Sequence, residues 1–467
     1  MKLISYSDSE FIDIEFSKEG SESSIYKSLI IGENGVGKSR LLSRLCDIFR
    51  TINIDKTNLK RIGFKFNLEY QLGKYIYKIT NQEKTTITEN GKEISEKNLP
   101  KIEILSISTI FNDKFFFDVN KEDYSDKYTY CGLRETTNSA FINSASRKTI
   151  ENIFSIIDKN KNKEFINVLD LLDLKHDIQI HFPIRKKRVF ENSHKNSQNL
   201  SEYFSSYRNQ KRLQVSEFEN YDETHSKNIT KALEKFSKND NGDLYININL
   251  DKPTSIPKNC FYLLNSLRRT GIIGNLELTV SKKVKSKPHF FSEASSGESQ
   301  ILLTLTSLIN HINNNSIVFI DEPEVSLHPN WQVRYFSLLD KVLKRVNNCH
   351  VIIATHSHFM VTDLNPENSH LVALKHSDSY ISTIPTPPTT YGWSPESILY
   401  NIFNIRTMNS TYLEEDINKA LELIAIRSTD LDTLVSIRKK LESLVFDSKD
   451  PLHEIVEEIK NYEIKND

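Results

Sequence analysis

Gly32-Glu33-Asn34-Gly35-Val36-Gly37-Lys38-Ser39 has the G-x-x-x-x-G-K-S spacing of a phosphate-binding loop. It stands between the apolar strand SLII and a helix carrying Leu41, Leu42, Leu45, Ile48 and Phe49 on one face. Glycines let main-chain N–H groups turn inward on an anion, and the start of a helix adds positive potential where the phosphates lie. In this reading residues 32–39 bind ATP, Lys38 reaches the β- and γ-phosphates, and the Ser39 hydroxyl takes Mg2+. The alternative is a chance glycine-rich turn, but only 13 of the 467 residues are glycine. A full match in a strand-to-helix setting is then an infrequent coincidence.

Further along, Ile317-Val318-Phe319-Ile320 reads as a buried parallel strand delivering Asp321 and Glu322 at its carboxyl end, where open α/β sheets place their ligands. Asp321 would join the magnesium shell and Glu322 would polarise the attacking water. Alone, such a pair is as readily an acidic strand end on the surface. Ala294-Ser295-Ser296-Gly297-Glu298-Ser299-Gln300 precedes the apolar helix ILLTLTSLI and crowds hydroxyls and amides at its start. This is either an ordinary serine cap or a second anion site that covers a nucleotide held by another copy. The strand VIIA ends in Thr355-His356-Ser357, and His356 is either structural or in contact with the γ-phosphate.

Composition sets bounds on everything else. Lys plus Arg number 61 and Asp plus Glu 62, a formal charge of -1, so contact with nucleic acid or anionic lipid would have to be local. Arg185-Lys186-Lys187-Arg188 and Lys282-Lys283-Val284-Lys285-Ser286-Lys287 are the densest basic clusters, either solvated charge or a non-specific DNA contact. Asp8 and Glu10 interrupt the position of a signal peptide, no uncharged apolar run reaches spanning length, and the cysteines are scattered, which leads us to expect a cytoplasmic chain that neither enters nor crosses a membrane. The expected organisation is a first α/β lobe over 1–145, rich in strands with an Asn90-Gly91 hairpin turn, and a polar helical insertion over 146–250. A second lobe covers 251–385, and a helical C-terminal region capped by Ser394-Pro395 covers 386–467.

Taken in chain order, GENGVGKS, ASSGESQ, FIDEPEVSLHP and ATHS resemble ABC-type ATPases of the SMC/RecF/RecN-like class. The resemblance implies an α/β fold: an ABC-type P-loop ATPase head, a mixed sheet with helices, bearing an inserted helical arm and a helical C-terminal appendage. It makes Asp321 a metal-shell residue, Glu322 the catalytic glutamate and His356 the switch histidine. Ser295, Ser296, Gly297 and Glu298 become a signature acting in trans, so a homodimer or higher even oligomer through the heads is expected. No glutamine follows the strand IEILSIS, and Asn112 or Asp113 is the stand-in for a glutamine loop.

The stretch from IEILSISTIFNDKF to YTYCGLRE, and YGWSPESILYNIF, look similar to the ATPase subunit of Septu-type antiphage systems, PtuA. That family works with an HNH nuclease from a neighbouring gene, and the similarity implies a separate nuclease partner here. Two alternatives stay open: a RecF/SMC-like DNA-repair ATPase without a dedicated nuclease, and the ATPase of an AriA-type defence system with a separate Toprim effector. A transporter subunit or a P-loop kinase accounts for fewer of the motifs.

Overall fold

A parallel sheet aligns the carboxyl ends of its strands along one edge, and this chain builds its largest sheet that way. The computed structural model describes residues 1–18, 23–54, 59–110, 113–117, 127–134, 142–195, 197–211, 223–240, 242–252, 256, 258–284, 288–291, 296–377, 379–387, 389–402, 411–443 and 452–466. The seven-stranded sheet runs, in spatial order, Tyr380–Ile384, Ser369–Ser377, Ile25–Gly32, Cys349–Ala354, Ser316–Asp321, Glu103–Ser108 and Tyr128–Tyr130. Every neighbouring pair is parallel except the hairpin formed by the first two. The strands Ser316–Asp321 and Cys349–Ala354 are buried along their full length, as their unbroken apolar runs require.

The helix Lys38–Ile54, which we call the P-loop helix, follows the strand Ile25–Gly32. Leu41, Leu42, Leu45, Ile48 and Phe49 are all fully buried on it, each contributing about 1.5–3 kcal/mol by leaving water. They share one core with Ile30, Phe319 and Ile352 of the parallel sheet and with Leu3, Tyr6, Phe66, Leu68 and Tyr70 of a six-stranded antiparallel sheet. That second sheet runs Ile14–Glu15, Lys2–Asp8, Phe66–Leu72, Tyr75–Asn81, Thr85–Glu89, Lys92–Glu93. Its last turn is the expected Asn90-Gly91, both residues at positive φ (47° and 79°), the geometry of a tight two-residue hairpin.

His350 fastens the two sheets together. Its Nδ1 accepts the Leu3 main-chain N–H at 2.8 Å, and its Nε2 lies 2.7 Å from Ser28 Oγ, whose own proton goes to the Phe16 carbonyl at 2.5 Å. Those partners require the neutral Nε2–H tautomer, and burial, assisted by the nearby N-terminal ammonium, holds the imidazole well below its usual pKa. A folded-state pKa below the unfolded value of about 6.5 means that the unfolded chain binds the proton first, so this stabilisation is complete above pH 6.5 and is lost as pH falls below it. The stability advantage of the native protein over His350→Gln, which offers both an acceptor and a donor without titrating, should shrink by about 1.4 kcal/mol per pH unit below pH 6.5. Urea unfolding at pH 7.5 and 5.5 measures it, and a difference that ignores pH would contradict the assignment.

Residues 146–250 depart from the expected polar helical insertion. They contain helices, but Asp177–Phe182 and Leu244–Asn249 are strands of a five-stranded antiparallel sheet ordered Ser237–Lys238, Leu244–Asn249, Asp177–Phe182, Glu277–Val280, His289–Phe290. Ile178, Ile180 and Phe182 are buried, as are Leu244, Ile246 and Ile248, each alternating with polar residues. Two six-residue alternations inside a Lys- and Asn-rich stretch were too short to stand out from it. Because Asp177–Phe182 pairs with Glu277–Val280, the expected boundary at 250 runs through one sheet. The helix Ile142–Asp158 is likewise tied to the helix Ser296–His311, here called the signature helix: Asn152 Nδ2 donates to Ser307 Oγ at 2.9 Å and Ser155 Oγ to Asn310 Oδ1 at 2.6 Å.

The chain divides into two units, Met1–Ile398 and Leu399–Asp467. In the second, helices Thr411–Ala425, Leu431–Glu442 and Leu452–Asn466 bury Ala420, Leu434, Ile437, Leu441, Val456 and Ile459 against one another. Among the described residues no helix is long and apolar enough to cross a membrane.

Candidate functional site

Sheet register brings the motif residues to one edge. Asp321 is level with Ala354 and Ser108, and Ala354 with Ile30, so the loops after four strands open side by side. The first is the 32–39 loop. Gly35 and Gly37 hold φ of 81° and 99°, which side-chain-bearing residues rarely adopt. Glu33, Asn34 and Gly35 are exposed, so the main chain of this turn is open to a ligand at the start of a 17-residue helix. Lys38 is buried beneath it, its ammonium donating to the carbonyls of Gly32 (2.9 Å) and Glu33 (3.3 Å) and to His356 Nδ1 (3.1 Å).

Around that ammonium stand carboxyl groups in unequal states. Ser39 Oγ donates to Asp321 Oδ1 at 2.9 Å, and Asp321 is 1% exposed. Burial, with Glu322 and Asp113 nearby, pushes its pKa up to about 7 despite the Ser39 hydrogen bond. Such a carboxylate suits a bound dication, which would restore its charge. Among the described residues no group of three or more His, Cys, Asp or Glu could hold a metal alone.

Glu322 occupies a strained position, φ 50°, at a cost of about 1–2 kcal/mol for a residue with a Cβ. Both its main-chain groups are used: its N–H donates to Ala354 O at 2.9 Å and Thr109 Oγ1 donates to its carbonyl at 2.5 Å. Its Oε1 lies 3.1 Å from His356 Nε2. Since Lys38 can only donate, His356 Nδ1 must accept, and the ring proton therefore sits on Nε2, aimed at Glu322. Burial alone would raise the Glu322 pKa, but hydrogen bonds from His356 and Glu324 and the charge of Lys38 hold it below the usual carboxylate range. A carboxylate kept ionised at neutral pH and aimed at the edge of a phosphate loop can accept a proton from water.

The start of the signature helix occupies a different neighbourhood. A Cβ on Gly297 would come within 2.7 Å of the Ser326 carbonyl, so glycine is what lets this helix start press on the turn after Glu322. Glu298 pairs with Lys282 of the five-stranded-sheet region, and Lys283 bonds Asp170 at 2.6 Å. Those two lysines of the second basic cluster are therefore engaged in ion pairs, whereas Arg185, Lys186, Lys187 and Arg188 are exposed. Ser296 is exposed at the helix start. Ser295, Asn112, Lys285 and Lys287 lie outside the described residues.

Of the two stand-ins for a glutamine loop, Asp113 is described. It is buried and bound by Tyr130 Oη at 2.5 Å and Arg134 Nη2 at 2.6 Å. The sequence assigns no role to Thr109 or Glu324, and places Lys282 only in a basic cluster, not against Glu298. Glu324 carried the one available signal, a third acid in DEPE; Thr109 pairs with a residue 213 positions along the chain and leaves no local trace.

A family profile described as AAA ATPase domain matches residues 6–361. A 118-residue segment, 25% of the chain, is 30% identical to protein ea59 of Escherichia phage lambda and spans 22% of that protein's length. Solved structures similar to this chain include the SMC head domain from Thermotoga maritima (12% identity, 83% of this chain and 100% of that one, TM-score 0.34). Another is an SMC head bound to the C-winged helix domain of ScpA (10% identity, 82% and 97%, TM-score 0.34). A third is an SMC head with an extended coiled coil bound to the C-terminal domain of ScpA derived from Pyrococcus furiosus (12% identity, 87% and 98%, TM-score 0.32).

Proposed function

Because the chain belongs to the AAA ATPase domain family, we propose that it hydrolyses Mg-ATP between paired heads and uses the nucleotide state to control a separate effector. The observation that carries this reading is the convergence of Lys38, Ser39, Asp321, Glu322 and His356, joined by contacts of 2.9 to 3.1 Å at one sheet edge. The 32–39 loop and Lys38 would hold the phosphates, and Ser39 and Asp321 would hold Mg2+. When bound, that ion supplies charge neutralisation for the phosphates. Glu322 takes the proton of the attacking water, and His356, its Nε2–H fixed by Lys38, orients Glu322.

The second anion site, Ser295 to Glu298, would complete the pocket of a second copy. The test is turnover per chain as a function of protein concentration. It should rise as heads pair, and Ser296→Arg, a change at an exposed position, should reduce it by about 10²-fold while each chain still binds ATP, as removal of one set of preorganised donors does. Full turnover by a strict monomer would exclude the shared pocket.

For the effector we propose an HNH-type nuclease in antiphage defence, on the similarity of the IEILSIS–YTYCGLRE and YGWSPESILYNIF stretches to the Septu ATPase subunit. The exposed Arg185–Arg188 cluster suits non-specific contact with DNA phosphates beside such a nuclease.

A further inference from the structure

The proposed hydrolytic reading leaves one half-buried acid of the site without a task. Glu324 projects from the turn after the strand Ser316–Asp321 and crosses to the end of the strand Cys349–Ala354, where its Oε1 accepts the main-chain N–H of His356 at 2.5 Å. Its Oε2 is buried and meets no donor. The carboxyl also lies within hydrogen-bonding reach of the Glu322 carboxylate. Two carboxylates facing each other away from water are held together only when a proton lies between them.

Resting on the assignment of Glu322 as the base, we propose that Glu324 is a positioning residue for ATP hydrolysis: one oxygen anchors the main chain of His356, while its hydroxyl donates to Glu322. By holding both partners of the His356–Glu322 contact from one side chain, it sets the direction of the Glu322 carboxylate and the distance between the two loops. The groups facing it support this placement of the proton. Glu322 stands on its own turn, His356 ends the neighbouring strand, Lys38 lies on the P-loop helix, and Tyr335 begins the helix Tyr335–Leu343. Burial and the charge of Glu322 push the Glu324 pKa up to about 8, while Glu322 stays ionised.

Two variants separate this role from simple packing. Glutamine reproduces the neutral acid, its carbonyl accepting from His356 and its amide donating to Glu322; alanine does neither. Steady-state ATPase assays on the full chain should show Glu324→Ala losing about 10- to 100-fold in kcat, with KM and the thermal midpoint near those of the native protein. Glu324→Gln should restore kcat to within about threefold. The native rate should also fall as pH rises through about 8, when Glu324 ionises, and Glu324→Gln should lack that alkaline limb. The last readout needs only the conservative variant, so it stands even if Glu324→Ala fails to fold.

Full turnover by Glu324→Ala would overturn the proposal, as would equal damage from Ala and Gln or an unchanged alkaline limb in Glu324→Gln. Full turnover by Glu322→Gln in the same assay would instead remove the base itself, and this inference with it.

Discussion

Glu322→Gln should bind ATP as tightly as the native protein and turn it over about 10²- to 10⁴-fold more slowly, the usual contribution of a positioned general base. Glutamine has the shape of the native side chain, so it keeps the space beside His356 and can still accept the Nε2–H that now meets Glu322 Oε1 at 3.1 Å. It can also stay at φ 50°, because what holds that strained main chain is the pair of hydrogen bonds to Ala354 and from Thr109, neither of which involves the side chain. What it cannot do is take a proton. Glu322 is suited to that because His356, Glu324 and Lys38 together offset the burial that would otherwise neutralise it. Removing one negative charge beside a polyphosphate does not weaken its binding, so the loss should fall on kcat alone. A Glu322→Gln protein that turns over ATP at the native rate would show that water is activated elsewhere.

The parts of this site that were legible in the sequence are those whose chemistry is local. An eight-residue loop between an apolar strand and an amphipathic helix leaves few conformations other than the one found, and FIDEPE announces both a buried strand and the acids at its end. His356 could be placed because a strand ends immediately before it. What was not legible depends on pairing between distant segments. Thr109 supports Glu322 from 213 positions away, and the strands Asp177–Phe182 and Leu244–Asn249 pair across the stretch expected to be a polar helical insertion. The division of labour we propose between neighbouring acids is hidden for a different reason: Glu322 and Glu324 are the same residue type, and only the direction of their hydrogen bonds would make one a base and the other a donor.

Lys38→Ala should fail at the step before, losing ATP affinity by about 10²- to 10³-fold. The native ammonium is 3% exposed and spends its three protons on the Gly32 and Glu33 carbonyls and on His356. Burial lowers its pKa, but Glu322, Glu324 and Asp321 oppose that change, and it is the cation among those acids. On binding ATP the ammonium would exchange its carbonyl partners for phosphate oxygens; truncation removes about two such charge-assisted hydrogen bonds, each worth about 1.5–3 kcal/mol, and leaves a polyanion facing acids without their counter-charge. The low end of that sum, about 3–4 kcal/mol once the carbonyl hydrogen bonds given up are set against it, is the stated 10²- to 10³-fold in Kd. Arginine should not rescue binding, since a planar guanidinium does not fit a space shaped to a single ammonium nitrogen and points its donors elsewhere. The two variants therefore part cleanly in calorimetry with Mg-ATP: Glu322→Gln gives a full binding isotherm without turnover, and Lys38→Ala gives no isotherm at concentrations that saturate the native protein. Native-like binding by Lys38→Ala, with an unchanged thermal midpoint, would mean that the phosphates rest somewhere other than on the 32–39 loop.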